Sequence, residues 1–238
     1  MIRIAAVGDI HYGDDSTGRL LPALREVHEH ADLLLIAGDL TRRGTAAEAE
    51  VLAAELSQVQ VPVVAVLGNH DYEAGEPERV RAAIEKAGAV VLEGEPATVR
   101  ADGATVGVAG VKGFGGGFAG ASGSSFGEPE MKLFMATTEL AAAALADSLE
   151  SLGSTDLRIA LMHYAPIPET LQGERLEIYP FLGSYLLCEP VDRIGADLVL
   201  HGHAHRGREK GVTPGGTAVR NVAEPVLRHA YAVYELGG

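Results

Sequence analysis

The stretch that decides the fold is IRIAAVGDIH, residues Ile2–His11. Its first six residues form a short, mostly apolar run without polar alternation, which is typical of a strand buried on both faces. Gly8 ends the run, and Asp9 and His11 follow it. Open α/β sheets collect their ligands outside the carboxyl ends of their strands. The stretch therefore predicts a parallel strand and the first part of a site at its end.

The same combination of apolar run and polar end recurs along the chain. Four later runs are short and rich in Val, Ile, Leu and Ala: Asp32–Ala37, Val61–Leu67, Leu157–Met162 and Asp197–Leu200. The polar residues at their ends are Asp39, then Asn69-His70-Asp71, then His163, then His203 with His205. In four of the five clusters a glycine comes directly before the polar residue and permits a sharp turn or a close approach of the backbone. We expect the five clusters to converge on one site.

The segments between these runs predict helices and further strands. Apolar residues at helical spacing predict helices over Gly18–Ala31, Thr45–Gln58 and Pro77–Ala87, and the longest helix over Glu128–Leu152. The alternation of strands and helices implies a parallel sheet with right-handed crossovers. Further strands are expected over Val90–Leu92, Ala97–Ala101, Ala104–Ala109, Thr217–Val222 and His229–Leu236. Asp102-Gly103 predicts a hairpin turn, and the last strand alternates partly, as an outer hairpin strand does.

Length and composition limit the class of protein. The 238 residues contain no Ser/Pro-rich linker, which favours a single domain over residues 1–238. We expect no signal peptide, because the first strand begins at once, and no membrane span, because no run of eighteen apolar residues occurs. The single cysteine suits a reducing compartment, so we expect a cytoplasmic protein. A net charge of −14 argues against a protein that grips long nucleic acids.

The clusters together resemble a known family. The series Asp-x-His, Gly-Asp, Gly-Asn-His-Asp, His and Gly-His-x-His is similar to that of calcineurin-like metallophosphoesterases, in the same order. The resemblance implies a four-layer α/β/β/α sandwich. A different interpretation, that these are polar residues capping neighbouring helices, accounts for Asp9 or Asp39 alone. It does not account for five of the nine histidines falling at these positions.

The resemblance also implies a ligand set for two divalent metal ions. Asp9, His11 and His205 would hold one ion, Asn69, His163 and His203 the other, and Asp39 would bridge both. Mixed His, Asp and Asn ligands suit Mn, Fe or Zn better than Ca. A hydroxide bridging the metals would attack phosphorus. His70 would donate a proton to the leaving oxygen, and we expect Asp71 to orient the His70 imidazole.

Several features have two interpretations each. The glycine-rich segment Gly110–Gly127 is a mobile surface loop or lid, or else a phosphate cradle. Tyr164 lines the pocket or packs beneath it, and Arg206 reaches a phosphate or stays on the surface. His201 is expected to point into the sheet or to support the ligands, and Cys188 to be a partly buried structural residue rather than a reactive thiol. The insertion after His163, Ala165–Pro168 with Thr170–Gly183, is a candidate for deciding specificity.

The substrate class is the least determined prediction. A small chain with an acidic surface favours a small phosphodiester or phosphomonoester, cyclic-nucleotide or nucleotide-like. A protein phosphatase or a nuclease with the same core is an alternative, and so is a non-catalytic interaction scaffold. The scaffold interpretation is disfavoured because every ligand and His70 are present.

Overall fold

A computed structural model describes residues 1–237, and Gly238, the last residue of the predicted domain, lies outside the described residues. The strands are β1 Ile2–Val7, β2 Leu33–Ala37, β3 Val63–Val66, β4 Val90–Leu92, β5 Pro96–Ala101, β6 Ala104–Val111, β7 Gly117–Phe118, β8 Ala121–Ser122, β9 Leu157–Met162, β10 Leu198–His201, β11 Lys210–Val212, β12 Ala218–Asn221 and β13 Ala232–Leu236. The α-helices are α1 Leu21–His30, α2 Ala46–Leu56, α3 Pro77–Lys86, α4 Pro129–Ser151, α5 Tyr179–Leu182, α6 Cys188–Ile194 and α7 Glu224–Leu227.

Two large sheets contain most of these strands. The first sheet has the order β13-β1-β2-β3-β4, with β1 to β4 parallel and β13 antiparallel at the edge. The second has the order β11-β12-β10-β9-β6-β5, with β12, β10, β9 and β6 parallel between two antiparallel edge strands. Each sheet therefore has a parallel centre, and the loops that carry the polar clusters follow the carboxyl ends of β1, β2, β3, β9 and β10.

Alternate residues of the central strands enter two different cores. In β1, Ile4 and Ala6 pack between the sheets, with Ile159 and Leu161 of β9 from the second sheet. Ala5 and Val7 face the other way, in a cluster with residues of α1, α2 and α3. A third cluster joins the outer face of the second sheet to α4 and α6. This arrangement confirms the predicted α/β/β/α layers.

The structure confirms the hairpin and corrects the last strand. Asp102 and Gly103 both have positive φ, 44° and 80°, as a two-residue turn between antiparallel strands requires. The strand expected over His229–Leu236 is shorter and does not form a hairpin with the preceding strand: β13 pairs with β1 in the other sheet. The free edge of β12 is occupied by β11, a strand that the sequence did not predict. No helix within residues 1–237 combines the length and apolar character needed to cross a bilayer.

A capping box fixes the start of α2, directly after the Asp39 loop. The Thr45 hydroxyl accepts a hydrogen bond from the Glu48 amide, 3.3 Å between donor and acceptor. The buried Glu48 carboxylate accepts in return from the Thr45 amide at 3.5 Å, which completes the box, and also from the Arg43 amide at 2.8 Å. These bonds satisfy amides before and within the first turn that have no partner inside the helix. They also tie the end of the Asp39 loop to a rigid helix.

Thr45→Ala should lower the free energy of unfolding by about 1 kcal/mol, because an alanine cannot cap the helix. Thr137→Ala is the matched control, since the Thr137 hydroxyl bonds only to the Leu133 carbonyl one turn earlier on α4. The control should change the free energy of unfolding by less than about 0.5 kcal/mol. Urea unfolding of both variants measures the difference, and equal effects would contradict the role of the cap.

Candidate metal centre

The strand-end residues of both sheets meet in two adjoining clusters. Asp9, His11, Asp39 and His205 offer donor atoms that all lie within 4.8 Å of one another, and so do Asp39, His163 and His203. Asn69 joins the second cluster, because its Oδ1 lies 2.9 Å from His163 Nε2. The structure thus brings together all seven predicted ligands, with Asp39 common to both clusters.

Several of these residues have an unusual backbone conformation. Six non-glycine residues within the described chain have positive φ, and four of them belong to the clusters: Asp9 at 56°, His11 at 42°, Asp39 at 48° and His203 at 68°. Such conformations cost about 1–3 kcal/mol each and persist only where surrounding contacts impose them. Here the loops after β1 and β2 bond to each other, from the Asp9 amide to the Gly38 carbonyl at 2.9 Å and from the His11 amide to the Asp39 carbonyl at 3.0 Å.

Two of the predicted glycines are required by the space around them. Gly38 has φ of 83°, and a Cβ there would lie 2.6 Å from His163 Nδ1. A Cβ on Gly68 would collide with the carboxylate and the backbone nitrogen of Asp39. Both glycines therefore leave room for side chains of the clusters, and any larger residue would displace one of them.

Hydrogen bonds to backbone carbonyls orient the histidine rings. His163 Nδ1 donates to the Ala37 carbonyl at 2.9 Å, which leaves Nε2 facing Asn69 and Asp39. His203 Nε2 lies 3.2 Å from the Phe181 carbonyl, which leaves Nδ1 as its second nitrogen. Metal-binding histidines in proteins are held in this way, because the bond made by one ring nitrogen sets the tautomer of the other.

The electrostatics of the clusters favour a cation. Asp9 and Asp39 are 2% and 1% exposed. Burial disfavours the charged Asp39 carboxylate, but His163, the His70 amide and His11 together outweigh that effect and hold the pKa of Asp39 well below its usual range. Burial likewise opposes a charged His163, and the Asp39 and Asp9 carboxylates overcome it, raising the pKa of His163 to about 9. Two buried carboxylates thus favour a positive charge beside them, where the His163 imidazole and the Asn69 amide lie.

A buried ring nitrogen without a hydrogen-bond partner also indicates that the clusters favour a cation. His11 Nε2 is buried and has no hydrogen-bond partner, although it lies only 3.7 Å from Asp39 Oδ2. Buried polar nitrogens are normally paired, and a ring nitrogen left bare beside a carboxylate is satisfied if both bind one cation. The imidazole, carboxylate and amide donors present are those that borderline divalent metals accept. The residues therefore fit the metals that the sequence predicts.

Asp71 does not orient the His70 imidazole, contrary to the prediction. His70 Nδ1 donates to the Arg42 carbonyl at 2.8 Å. The buried Asp71 carboxylate accepts instead from the amides of Leu40, Thr41 and Gly68 and from the Thr41 hydroxyl, at 2.6 to 3.1 Å. His70–Tyr72 is one turn of 3₁₀ helix, so consecutive side chains point about 120° apart. Asp71 consequently points into the core and joins the loops after β2 and β3.

The structure decides between the two interpretations of four other residues, which are Tyr164, His201, Cys188 and Arg206. Tyr164 packs against the ligand rings, with its ring centroid 4.3 Å from that of His203. His201 is buried and bonds to the Gly202 carbonyl and the Thr170 hydroxyl, and burial lowers its pKa to about 4, so it is neutral support rather than a ligand. Cys188 is buried, which raises the pKa of its thiol to about 12 and makes it unreactive. Arg206 is exposed.

Part of the glycine-rich segment Gly110–Gly127 is hydrogen-bonded to another part of the chain. The amides of Gly116 and Gly117 donate to the carbonyls of Pro180 and Gly183, at 2.7 and 2.9 Å. Phe114 packs against Phe134, whereas Phe126 is 85% exposed. Because these amides already bond to the insertion after His163, the arrangement favours a loop docked on that insertion over a phosphate cradle.

A large cavity lies elsewhere on the molecule. Its volume is about 1210 Å³, and α4, α6 and the 212–214 turn line it. None of the seven predicted ligands is among its lining residues. The candidate centre is therefore identified by its donor atoms rather than by cavity size.

Comparison with known proteins identifies the family. The model of the family described as calcineurin-like phosphoesterase matches residues 2–207. The chain belongs to the calcineurin-like phosphoesterase family. Two solved structures share the fold of this phosphoesterase. Phosphopantetheinyl hydrolase (PptH) from Mycobacterium tuberculosis is 16% identical with a TM-score of 0.68, over 92% of this chain and 88% of that one. TT1561 of Thermus thermophilus is 20% identical with a TM-score of 0.60, over 98% of both chains. A comparison with curated proteins finds none that matches this phosphoesterase.

Gly68→Ala in the phosphoesterase should lower the free energy of unfolding by about 1–3 kcal/mol, because the added methyl group overlaps Asp39. Gly13→Ala is the matched control. Its Cβ would meet the ends of the Arg42 and Asp15 side chains, at 2.8 and 3.0 Å, and this exposed ion pair can shift toward solvent. We expect the control to change stability by less than about 0.5 kcal/mol. Thermal unfolding of both variants tests this, and a wild-type Tm for Gly68→Ala would show that Asp39 is not confined by the neighbouring loop.

Proposed function

We propose that this phosphoesterase binds two divalent metal ions at the clusters around Asp39 and hydrolyses a small phosphodiester or phosphomonoester. The observation that carries the proposal is the position of the Asp39 carboxylate. Its Oδ2 faces His11 Nε2 at 3.7 Å, and its Oδ1 faces His163 Nε2 at 3.4 Å. Each oxygen is thus directed at a different cluster, as expected of a carboxylate that bridges two ions.

The residues assigned to each ion follow from the clusters. Asp9, His11 and His205 would hold one ion, Asn69, His163 and His203 the other, and Asp39 both. When bound, such ions activate water as a nucleophile and neutralise charge on the phosphoryl group. The mixed imidazole, carboxylate and amide donors suit Mn, Fe or Zn. The chain itself orients these side chains and surrounds them with buried residues.

His70 is the proposed proton donor. Its Nδ1–H is committed to the Arg42 carbonyl, so Nε2 is the nitrogen left for a substrate. The His70 ring lies 4.7 Å from the His11 ring, centroid to centroid, in an edge-on arrangement. The His70 amide also donates to Asp39 Oδ1 at 2.8 Å, which fixes this segment against the bridging carboxylate. A protonated imidazole placed beside the reacting phosphoryl group stabilises a departing alkoxide by giving it a proton. Asp71 is a positioning residue, because it holds the His70 segment to the Asp39 loop.

The size and charge of the protein support a small substrate. The net charge of −14 disfavours binding to the backbone of long nucleic acids. Small phosphoesters, including cyclic-nucleotide and nucleotide-like ones, carry little charge outside the reacting group and need no extended basic surface. The complete donor set supports an active enzyme over an interaction scaffold.

Asp39→Ala should lose most of both metal ions, because no other ligand serves both clusters. Elemental analysis of protein purified without chelator, followed by assays with bis-p-nitrophenyl and p-nitrophenyl phosphate in Mn²⁺, checks metal content and activity together. Asp14→Ala removes an exposed carboxylate and should keep both properties at wild-type levels. Wild-type protein that binds no transition metal and gains no activity with Mn²⁺ would overturn the binuclear proposal.

His70→Ala should slow hydrolysis of an alkyl or sugar phosphoester by about 10²–10⁴-fold, the usual contribution of a general acid. An aryl ester such as p-nitrophenyl phosphate should lose much less, since p-nitrophenolate leaves without a proton. Metal content should stay near wild type. His28→Ala, on the exposed end of α1, is the control and should affect neither substrate. Equal losses on both substrate types would mean that His70 supports the site without acting as an acid.

A further inference from the structure

One cation lies beside the metal centre without a carboxylate partner. Lys112 directly follows β6, whose last residue Val111 pairs with Met162 of β9. The Lys112 carbonyl accepts hydrogen bonds from the amides of His163 and Tyr164, at 3.0 and 3.1 Å. Lys112 therefore occupies the same kind of position as the ligands, at the carboxyl end of a parallel strand, and it is the neighbour of one of them across the sheet.

Aromatic rings from three segments surround its ammonium group. Lys112 Nζ lies 4.8 Å from the ring centroid of Tyr72, 5.1 Å from that of Phe114 and 5.6 Å from that of Tyr164. Tyr72 follows the Asn69-His70 segment by two residues, and the Tyr164 ring lies against the ring of His203. The ammonium is thus held between two segments that carry predicted ligands.

The contacts of Lys112 within residues 1–237 leave its donors unused. No carboxylate lies within 4.0 Å of Nζ, and no hydrogen bond from Nζ is formed in the described part of the chain. The nearby Glu93 is engaged instead by the Tyr72 hydroxyl and by Arg81. Burial lowers the pKa of Lys112, and the charges of Glu93 and Asp39 act in the opposite direction. Aromatic faces attract an ammonium but accept none of its three hydrogen bonds in the way that oxygens do.

We propose that the Lys112 ammonium binds an oxyanion of the substrate, a phosphate or carboxylate oxygen, beside the metal centre. This inference rests on the proposed phosphoesterase function and assigns a substrate-binding residue to the same site. The three rings restrict the side chain to one region of this half-buried residue, and the ammonium keeps its N–H groups for an incoming anion. In a protein of net charge −14, a single held cation gives an anionic substrate a defined point of attachment.

Lys112→Met keeps a long apolar stem among the rings and removes the charge. We expect it to raise both the KM for phosphoesters and the inhibition constant of inorganic phosphate by about 10- to 100-fold, the range of one lost charge-assisted hydrogen bond. The kcat and the metal content should change much less. Lys112→Arg retains the charge and should recover part of the loss. Lys210→Met, at an exposed lysine of β11, is the control and should behave as wild type.

Two substrates separate the possible sources of the oxyanion. Phenyl phosphate offers only the phosphoryl oxygens, whereas 4-carboxyphenyl phosphate adds a carboxylate to the leaving group. An equal KM increase on both would place Lys112 on the phosphoryl group. A larger KM increase with 4-carboxyphenyl phosphate would place Lys112 on the carboxylate of the leaving group. Either result supports the inference.

The inference is overturned if Lys112→Met keeps the KM and the phosphate inhibition constant within twofold of wild type. It is also overturned if this variant loses metal and stability together, since Lys112 would then be structural. Calorimetric titration with inorganic phosphate provides a readout that needs no turnover. A wild-type protein that hydrolyses no phosphoester, yet binds phosphate in a Lys112-dependent way, would refute the proposed function without refuting anion binding by Lys112.

Discussion

The carboxylate of Asp39 is the group on which the rest of the candidate centre depends. It is almost completely buried, and its two oxygens face histidines from different sheets, His11 and His163. The His70 amide donates to one of these oxygens, and the Gly68 backbone leaves the space that the carboxylate fills. A buried carboxylate is costly unless it is paired with a positive charge, so its surroundings must supply a cation. The neighbouring His163, whose pKa the carboxylates raise, favours such a charge, and two metal ions would provide it in the enzyme that we propose.

The fold brings these groups together because the parallel centres of two mixed sheets present their carboxyl ends at the same end of the molecule. Neither sheet contains the whole set, since β1, β2 and β3 carry Asp9, His11, Asp39 and Asn69, and β9 and β10 carry the remaining histidines. Backbone bonds cross between the sheets beside the centre, as from the Gly8 amide to the Val222 carbonyl at 2.8 Å. Four cluster residues adopt a left-handed backbone conformation, which costs free energy. In this conformation the loops direct these side chains toward one point.

The sequence was sufficient for the strands and for the convergence of the polar clusters, because both depend on local patterns, whereas the four layers were implied by the family resemblance. The runs Ile2–Val7 and Leu157–Met162 predicted their strands to the residue, and the other three ligand strands were predicted to within two residues at each end. The rule that ligands gather at carboxyl ends of parallel strands predicted the convergence. Contacts between distant loops were not predictable. Asp71 points away from His70 because of a 3₁₀ turn, and β13 pairs with β1 whereas β11 pairs with β12. The strand β11 has three residues with a glycine at its centre, so it shows neither alternation nor an apolar run. The same rule could have identified Lys112, because it is the charged residue that directly follows the buried strand β6.

The most direct test of the account is the position of bound metal. A crystal of the protein loaded with Mn²⁺, measured for anomalous scattering, should show two peaks about 3.5–4 Å apart with the Asp39 carboxylate between them. One peak should contact Asp9, His11 and His205, and the other Asn69, His163 and His203. A single peak, or peaks that do not contact Asp39, would contradict the claim that this carboxylate bridges a binuclear centre.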